Sequence, residues 1–373
     1  MLLLSGGRAR IAVIIAAAVL LAAGIAENWF HQKALARIPL RILVNGTRGK
    51  TTVTRMTAAV LKEAGIRTYA KTTGSEARRI LPDGSEEEYR REKRPVSMLE
   101  QLPFVRLAVK GKAQAIVVEC MAQRAENQIL IAQKLIKPHF VLMTNAYVDH
   151  MEEIGKTEEE TVAVLAGSMT DESTVIAHDE RFGAFTNRLV IPEADADVSA
   201  YAECSFPVHP DNVRLVAALA RKLNIDGETL ERGIRNTTPD IGMYKEMNVE
   251  GCRVRNAFAA NDPVSFREVL EECAQAGNYA LLYNHRKDRS YRVEAFAQVL
   301  RNVPHPPCEI AVIGENTDWC ARYLHRMTGL PAAATHTPRE WMKAHRLVLC
   351  AGNIKGEGRV LAEELIKEAQ KNV

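Results

Sequence analysis

The chain has 373 residues, with 49 Lys and Arg against 46 Asp and Glu, a formal charge of +3, 25% charged and 47% hydrophobic side chains. That balance excludes a disordered or collagen-like chain, gives no global attraction to nucleic acid, and supplies length for two to three domains with ordinary cores. Seven scattered cysteines, an odd set without a CxxC pair, fit reduced thiols and argue against a disulfide framework or a zinc site.

The first element in chain order is Ile11 to Ala26, sixteen residues without a charge, followed by Trp29 and Phe30. As a helix it would measure about 24 Å, slightly short of a ~30 Å hydrocarbon core, with Arg8 and Arg10 able to snorkel. It reads as an uncleaved membrane anchor. The alternative, a cleavable signal peptide, lacks a clear small-x-small site. Basic residues stand on both sides, Arg8 and Arg10 before and Lys33, Arg37 and Arg41 after, so the positive-inside rule does not set the orientation. A need for ATP further along the chain would place the remainder in the cytoplasm.

Residues 40–65 read LRILVNGTRGKTTVTRMTAAVLKEAG. Ile42 to Val44 predict a buried strand, and Thr51 to Ala64 have helical spacing with Gly65 as the stop. Strand, Gly-rich turn and helix in that order are the context of a phosphate loop. Asn45, Gly46, Thr47, Arg48, Gly49, Lys50, Thr51 and Thr52 would surround the phosphates of ATP, largely with backbone N–H groups at the helix N-terminus. Lys50 would neutralise phosphate charge and the Thr51 hydroxyl would reach Mg2+. Val44 stands where the full GxxxxGK pattern needs Gly, so the loop is a shortened variant. An ordinary Gly-Lys turn is the alternative, and the flanking strand and helix argue against it.

Two later strand ends could add ligands. Ala113 to Val118 predict a buried strand that delivers Glu119 at its carboxyl end, the edge where open parallel sheets bind ligands. A carboxylate there can hold Mg2+, and a solvated loop carboxylate is the alternative. The strand His139 to Thr144 ends in Asn145, with Asp149 and His150 on the following loop. His150 is a less usual magnesium partner than an oxygen and could equally orient a phosphate or water.

The rest alternates. Strands near 67–71, 174–178 and 198–201 and helices near 122–136, 158–169, 210–223 and 225–234 predict a mostly parallel sheet covered on both faces. After the turn Thr237 to Asp240 a second set follows: strands near 251–257, 279–284, 309–314 and 346–351, helices near 263–275, 290–301, 316–328 and 358–370. That is a Rossmann-like C-terminal domain. Its AGNIKGEG, Ala351 to Gly358, reads as a tight strand-to-helix turn. The expected fold class is therefore α/β, divided as 1–30 anchor, 31–239 central P-loop domain with a mostly parallel sheet, and 240–373 C-terminal domain.

NGTRGKTT, ECMA with Glu119, and TNAYVDH resemble the three ATP-site motifs of the Mur-ligase superfamily, ATP-dependent ligases that join a carboxylate to an amine. FPVHPDNVRLVAALARKLNI, residues 206–225, resembles the segment where that superfamily uses two Asn near adenine, with His209 replacing the first and Asn212 matching the second. NAFAANDPVS (Asn256 to Ser265) and YNHRKDR (Tyr283 to Arg289) resemble its nucleotide-facing and phosphate-facing C-terminal loops. The membrane segment abutting NGTRGK, AKTTGS at Ala70 to Ser75, and the NHRKDR loop resemble, within that superfamily, the capsule-forming poly-γ-glutamate synthase ligase subunits. Only about 40 residues precede the phosphate loop, too few for a UDP-sugar-binding domain.

This resemblance implies Mg2+ held by Thr51, Glu119 and His150, phosphoryl transfer assisted by Lys50 and His150, and Arg286 and Arg289 meeting the phosphates on domain closure. It implies glutamate and a poly-γ-glutamate chain as substrates, and small integral membrane subunits as partners. A homo-oligomer stays open. Lys71 is the expected substrate cation; the Arg/Glu-interleaved stretch after it reads as a solvated, self-neutralising loop. Two departures are visible: no Lys occurs from Thr157 through Arg221 to act as the carbamylated metal-bridging residue, and the Asp that often opens the C-terminal motif is absent. Three rival readings share parts of this pattern: a membrane-associated P-loop NTPase, a folate-polyglutamate or other amino-acid ligase, and a silent scaffold.

Overall fold

The computed structural model describes residues 2–73, 77–89, 97–147, 154–155, 157–193, 209–241, 245–260 and 263–371. The expected strand at 198–201 lies outside them. Helix α1 (Leu2–Ala36) leads into strand β1 (Leu40–Asn45), and α2 (Lys50–Glu63) and β2 (Thr68–Thr72) follow. Next come β3 (Arg78–Ile80), β4 (Glu86–Glu88), α3 (Gln101–Lys110) and β5 (Ala115–Glu119). Helix α4 (Ala125–Leu130) continues as a π-helical turn, Ile131–Ile136, before β6 (Phe140–Met143), α5 (Glu158–Ala166) and β7 (Thr174–Ala177). The first unit closes with β8 (Leu189–Val190), α6 (Pro210–Lys222) and α7 (Gly227–Arg235), and ends at Thr237.

Its eight strands run in the order β4-β3-β2-β5-β1-β6-β7-β8. From β2 to β8 every pairing is parallel. Helix α2 buries Val53, Met56, Thr57, Val60 and Leu61, the spacing of a single helical face. Against the other side of the sheet, Phe104 and Val105 of α3 and Ile131 and Leu135 of the π-helical turn pack with Leu43, Val118 and Val141.

Among the features that differ from expectation are two in this unit. The segment read as a solvated loop is an antiparallel hairpin, β3 with β4, added to β2. Charge neutralisation builds it rather than leaving it in water: Arg79 pairs with Glu87 at 3.1 Å, and the buried guanidinium of Arg55 in α2 pairs with Glu86. The N-terminal helix also runs past residue 30 to Ala36. Its last turns dock on the unit through His31 and Leu35, and Ile38 of the connection to β1 follows them into the core, each at most 2% exposed, while residues 10–30 are exposed. From Arg10 to Ala36 it is long and apolar enough to cross a membrane.

His139, just before β6, gives this unit a pH response. Its Nδ1 accepts from the Arg41 N–H at 3.1 Å, which requires that nitrogen unprotonated. Burial, then the Arg41 charge, hold its pKa below the ordinary value. The unfolded chain therefore binds the proton first as pH falls below about 6.5, so this contribution is complete above that value and is lost on acidification toward the folded pKa. Denaturant midpoints measured at about pH 7.5 and about pH 5.5 should fall further in the native protein than in His139→Gln.

The second unit begins at Thr238. Strands β9 (Lys245–Val249) and β10 (Cys252–Asn256) are antiparallel, and α8 (Pro263–Gln275), β11 (Ala280–His285) and α9 (Tyr291–Asn302) follow. Then come β12 (Ile310–Gly314), α10 (Thr317–Thr328), β13 (Ala332–Ala334), α11 (Pro338–Lys343), β14 (Leu347–Ala351) and α12 (Glu357–Lys371). The sheet order is β13-β12-β11-β14-β10-β9, parallel except for β9. Helices α8, α9 and α10 fill one core with Phe266, Phe296 and Leu324; α11 and α12 fill the other with Met342 and Leu365. This is the doubly wound, Rossmann-like arrangement the strand and helix alternation predicts.

Candidate active site

Four residues, Gly46 to Gly49, connect β1 to α2. Gly46 and Gly49 hold φ of 126° and 80°, the region that favours glycine. Space adds a second demand. A β-carbon on Gly46 would collide with the Thr144 hydroxyl, and one on Gly49 would stand 3.0 Å from Asn212 Nδ2. Asn145, two residues past β6, clamps the turn. Its Oδ1 accepts from the Thr47 hydroxyl at 2.6 Å and the Arg48 N–H at 3.0 Å, and its Nδ2 donates to the Arg48 carbonyl at 3.1 Å.

Lys50 opens α2 and folds over this turn, its Nζ donating to the carbonyls of Gly46 at 2.6 Å and Thr47 at 3.0 Å. An ammonium has three hydrogens, and the third has no protein partner among the described residues. One residue on, the Thr51 hydroxyl lies 3.1 Å from both carboxylate oxygens of Glu119, at the end of β5. The Thr73 N–H donates to Glu119 Oε2 at 2.7 Å. Glu119 is only 3% exposed, and these two donors compensate its burial. Both Thr51 and Glu119 offer oxygen to one point beside the loop, the donor type magnesium takes, so the pair fits that ion. Among the described residues no three His, Cys, Asp or Glu side chains gather as a metal site. Asp149, His150 and Lys156 lie outside the described residues.

Thr47, Arg48, Thr52 and Asn212 also border the loop. Asn212 is buried in the first turn of α6, whose cap is His209, accepting from the Asp211 N–H at 3.3 Å. Two expected residues are turned elsewhere. The Asn45 side chain is buried below the loop, its amide donating to Gln128 Oε1 and Ser168 Oγ at 2.8 Å each. Cys120 adds a 3.3 Å contact to the same Gln128 oxygen; burial pushes its thiol up to about 11, so it stays a protonated donor. Lys71, expected to meet a substrate carboxylate, is fully buried on the opposite face of the sheet from α2. It pairs with Glu100 at 3.1 Å, because an ammonium taken from water needs a charge beside it. Glu100 in turn completes a capping box with Ser97 at the entrance to α3.

In the second unit, Arg286 and Arg289 flank Asp288, at 2.6 and 4.0 Å. AGNIKGEG is the tight β14–α12 turn expected of it: Asn284 Nδ2 holds the Asn353 carbonyl and, at 2.8 Å, that of Lys355. Asn256 is buried and donates to the Ile241 carbonyl at 2.8 Å, while Asp262 lies outside the described residues. Sequence reasoning stopped short of Asn145 and Thr73 as site residues. Asn145 stands within TNAYVDH and was there to be found; Thr73 acts through its backbone, which leaves no side-chain signal.

Solved structures share this fold. Escherichia coli FolC in complex with ADP superimposes with a TM-score of 0.67 at 14% identity, covering 92% of each chain. A Yersinia pestis CO92 bifunctional folylpolyglutamate synthase/dihydrofolate synthase, complexed with AMPPNP and Mn ion, does so with 0.67 at 14%, over 90% of this chain and 92% of that one. The Mur ligase middle domain pattern matches residues 44–213, the span that holds the phosphate loop and Glu119, and the class so defined is the ATP-dependent amide ligases. The pattern of the poly-gamma-glutamate synthase CapB C-terminal domain matches residues 243–368. PGA synthase CapB of Bacillus subtilis (strain 168) is 30% identical, over 95% of this chain and 97% of its own. Capsule biosynthesis protein CapB of Bacillus anthracis is 32% identical, over 92% and 80%. The chain belongs to the CapB family of poly-gamma-glutamate synthases.

Proposed function

We propose that this chain transfers the γ-phosphoryl of ATP to a glutamyl carboxylate and joins the resulting acyl phosphate to the amine of glutamate, extending poly-γ-glutamate for a capsule or secreted polymer. The observation that carries the reading is the meeting of Lys50, Thr51 and Glu119 at one sheet edge, in a chain of the CapB family. A carboxylate is a poor electrophile at neutral pH, so activation must come first. One carboxylate oxygen attacks the γ-phosphorus and ADP leaves; the amine then attacks the acyl carbon, and phosphate departs with that oxygen.

The N–H groups from Gly46 to Thr52 cradle the phosphates. Lys50 directs its remaining hydrogen at the transferred phosphoryl, and Asn212 lies toward the base. Thr51 and Glu119 hold Mg2+, with His150 as a further ligand or phosphoryl contact. Bound there, the ion offsets the charge of the transferred phosphoryl oxygens. Arg286 and Arg289 of the second unit are the proposal's other phosphate-directed cations. In this reading residues 31–239 bind ATP, residues 240–373 form the partner domain, and α1 anchors both on the cytoplasmic side of the cell membrane, beside small membrane subunits of the synthase.

The test uses membranes containing this protein and its genomic neighbours, given ATP, magnesium and glutamate carrying ¹⁸O in its carboxylates through repeated additions. Label in released phosphate, together with glutamate-dependent polymer, is the expected result. Phosphate release without label or glutamate dependence would replace the ligase reading with that of a membrane NTPase.

A further inference from the structure

Strands β1 and β5 pair in parallel register from Leu40 with Ala115 to Val44 with Glu119, and a last backbone bond, from the Cys120 N–H to the Val44 carbonyl at 2.8 Å, follows. Beyond it the two chains part. Asn45 leads into the phosphate loop, and Cys120 leads into Met121 and Ala122. At this point a side chain from α4 takes over from the ladder: Gln128 Oε1 accepts from Asn45 Nδ2 at 2.8 Å and from Cys120 Sγ at 3.3 Å, while Gln128 Nε2 donates to the Ala122 carbonyl at 2.8 Å. One amide thus spans both strand exits, touching the residue before Gly46 and the residue after Glu119.

The direction of each bond is fixed by its neighbours. The Leu165 carbonyl can only accept, so the Ser168 hydroxyl donates to it at 2.8 Å and is left to accept from Asn45 Nδ2, also at 2.8 Å. The other hydrogen of that amino group goes to Gln128 Oε1, which turns Gln128 Nε2 toward Ala122. Asn45, Cys120, Gln128 and Ser168 are each at most 1% exposed, where a polar group without a partner is costly. Gln128 lies on the face that also buries Ile131, Ala132 and Leu135, and a β-carbon on Gly167 would stand 3.1 Å from its own. Packing leaves the amide no room to swing aside. A leucine would fill this core-facing position without the desolvation of an amide, so directed bonds are what the glutamine adds.

We infer that Gln128 is a positioning residue for the phosphoryl-transfer site, holding the phosphate loop at a set distance from Glu119 and with it the 3.1 Å approach of Thr51 to that carboxylate. This rests on the proposed reading of Thr51 and Glu119 as the magnesium pair. Gln128 acts through Asn45 on the loop and through Cys120 and Ala122 on Glu119. The separation of those two parts sets where the ion stands relative to the transferred phosphoryl, and a misplacement of about 1 Å costs on the order of 100-fold in such sites.

The test uses the full-length protein in detergent. Without nucleotide or metal, Gln128→Met should speed amide hydrogen exchange severalfold in peptides covering Gly46 to Thr52 and Glu119 to Ala122, while β7 and the second unit keep native rates. With ATP present, the magnesium concentration that gives half of the added thermal stabilisation should rise about tenfold. Ser168→Ala is the comparison: it removes a buried partner of Asn45 but leaves the Gln128 bridge, so it should lower the unfolding midpoint without moving the magnesium response. Gln128→Glu keeps the test open if the Met variant does not fold. Burial favours its neutral acid, which donates to Ala122 and accepts from Asn45 as the amide does, whereas the ionised form has no hydrogen to donate. Read against the native protein at the same pH, its magnesium response should be native-like at about pH 6 and weakened at about pH 8.5. A native magnesium response in Gln128→Met, an equal shift in Ser168→Ala, or a Gln128→Glu response without pH dependence would overturn the positioning role and leave the magnesium site standing. If magnesium adds nothing to the stabilisation of the native protein by ATP, the site reading fails and the positioning role with it.

Discussion

Lys50→Ala should lower ATP-dependent amide formation about 10³-fold or more, roughly 4 kcal/mol of transition-state stabilisation, in a protein that stays folded. Both halves follow from the surroundings of the ammonium. Among the described residues it is bonded only to the Gly46 and Thr47 carbonyls, at the loop, where water can replace it. Its one uncommitted hydrogen is what a phosphoryl oxygen would use, and nothing else in the Gly46 to Gly49 turn carries a full positive charge except the exposed Arg48. Lys50→Arg should rescue little, since a planar fork cannot fold back on two carbonyls four and three residues away as a point charge does. The measurement is phosphate release from membranes beside a thermal unfolding midpoint of the purified variant. Native-like turnover would remove the phosphate-loop assignment; a collapsed midpoint would mean that Lys50 holds the loop rather than the ligand.

What the sequence made legible is local. The phosphate loop needs a strand, a Gly-rich turn and a helix within about two dozen residues, and LRILVNGTRGKTTVTRM carries all three, so β1 and α2 appear where the apolar pattern predicts. Glu119 was legible for the same reason, as the polar end of an apolar strand. The family resemblance, resting on motifs at successive strand ends, is the one the comparisons show. Long-range pairings were not legible. Asn45 sits in the loop motif yet bonds Gln128, 83 residues away, and Lys71 sits at a strand end yet is neutralised by Glu100. Both residue types suggest ligand contacts at such positions, and only the packed structure reveals internal partners. The β3–β4 hairpin escaped for a related reason: three consecutive Glu carry no apolar alternation, and the guanidinium that fixes Glu86 comes from α2. Helix α3 begins QLP, and the proline at its third position masks a helix that proline in the first turn does not disturb.

Glu119→Gln should raise the magnesium concentration for half-maximal turnover at least about tenfold, since even groups behind metal ligands cost 10 to 100-fold when changed. The substitution removes charge and keeps shape. Gln at this position can still accept from the Thr73 N–H and the Thr51 hydroxyl, so the hydrogen bonds that satisfy a nearly buried side chain survive, and removing a buried charge does not in itself cost stability. The separation between binding and folding is therefore clean. Thermal unfolding without nucleotide should match the native protein, while the extra stabilisation that magnesium with ATP gives over ATP alone should shrink, by linkage, in proportion to the lost affinity. Glu119→Ala makes the contrast: it leaves the Thr73 N–H without its acceptor beneath the loop and should lose both midpoint and metal response. If Glu119→Gln leaves the magnesium dependence unchanged, the carboxylate serves only to fix Thr51 and Thr73, and the metal must be held by residues of the loop after β6.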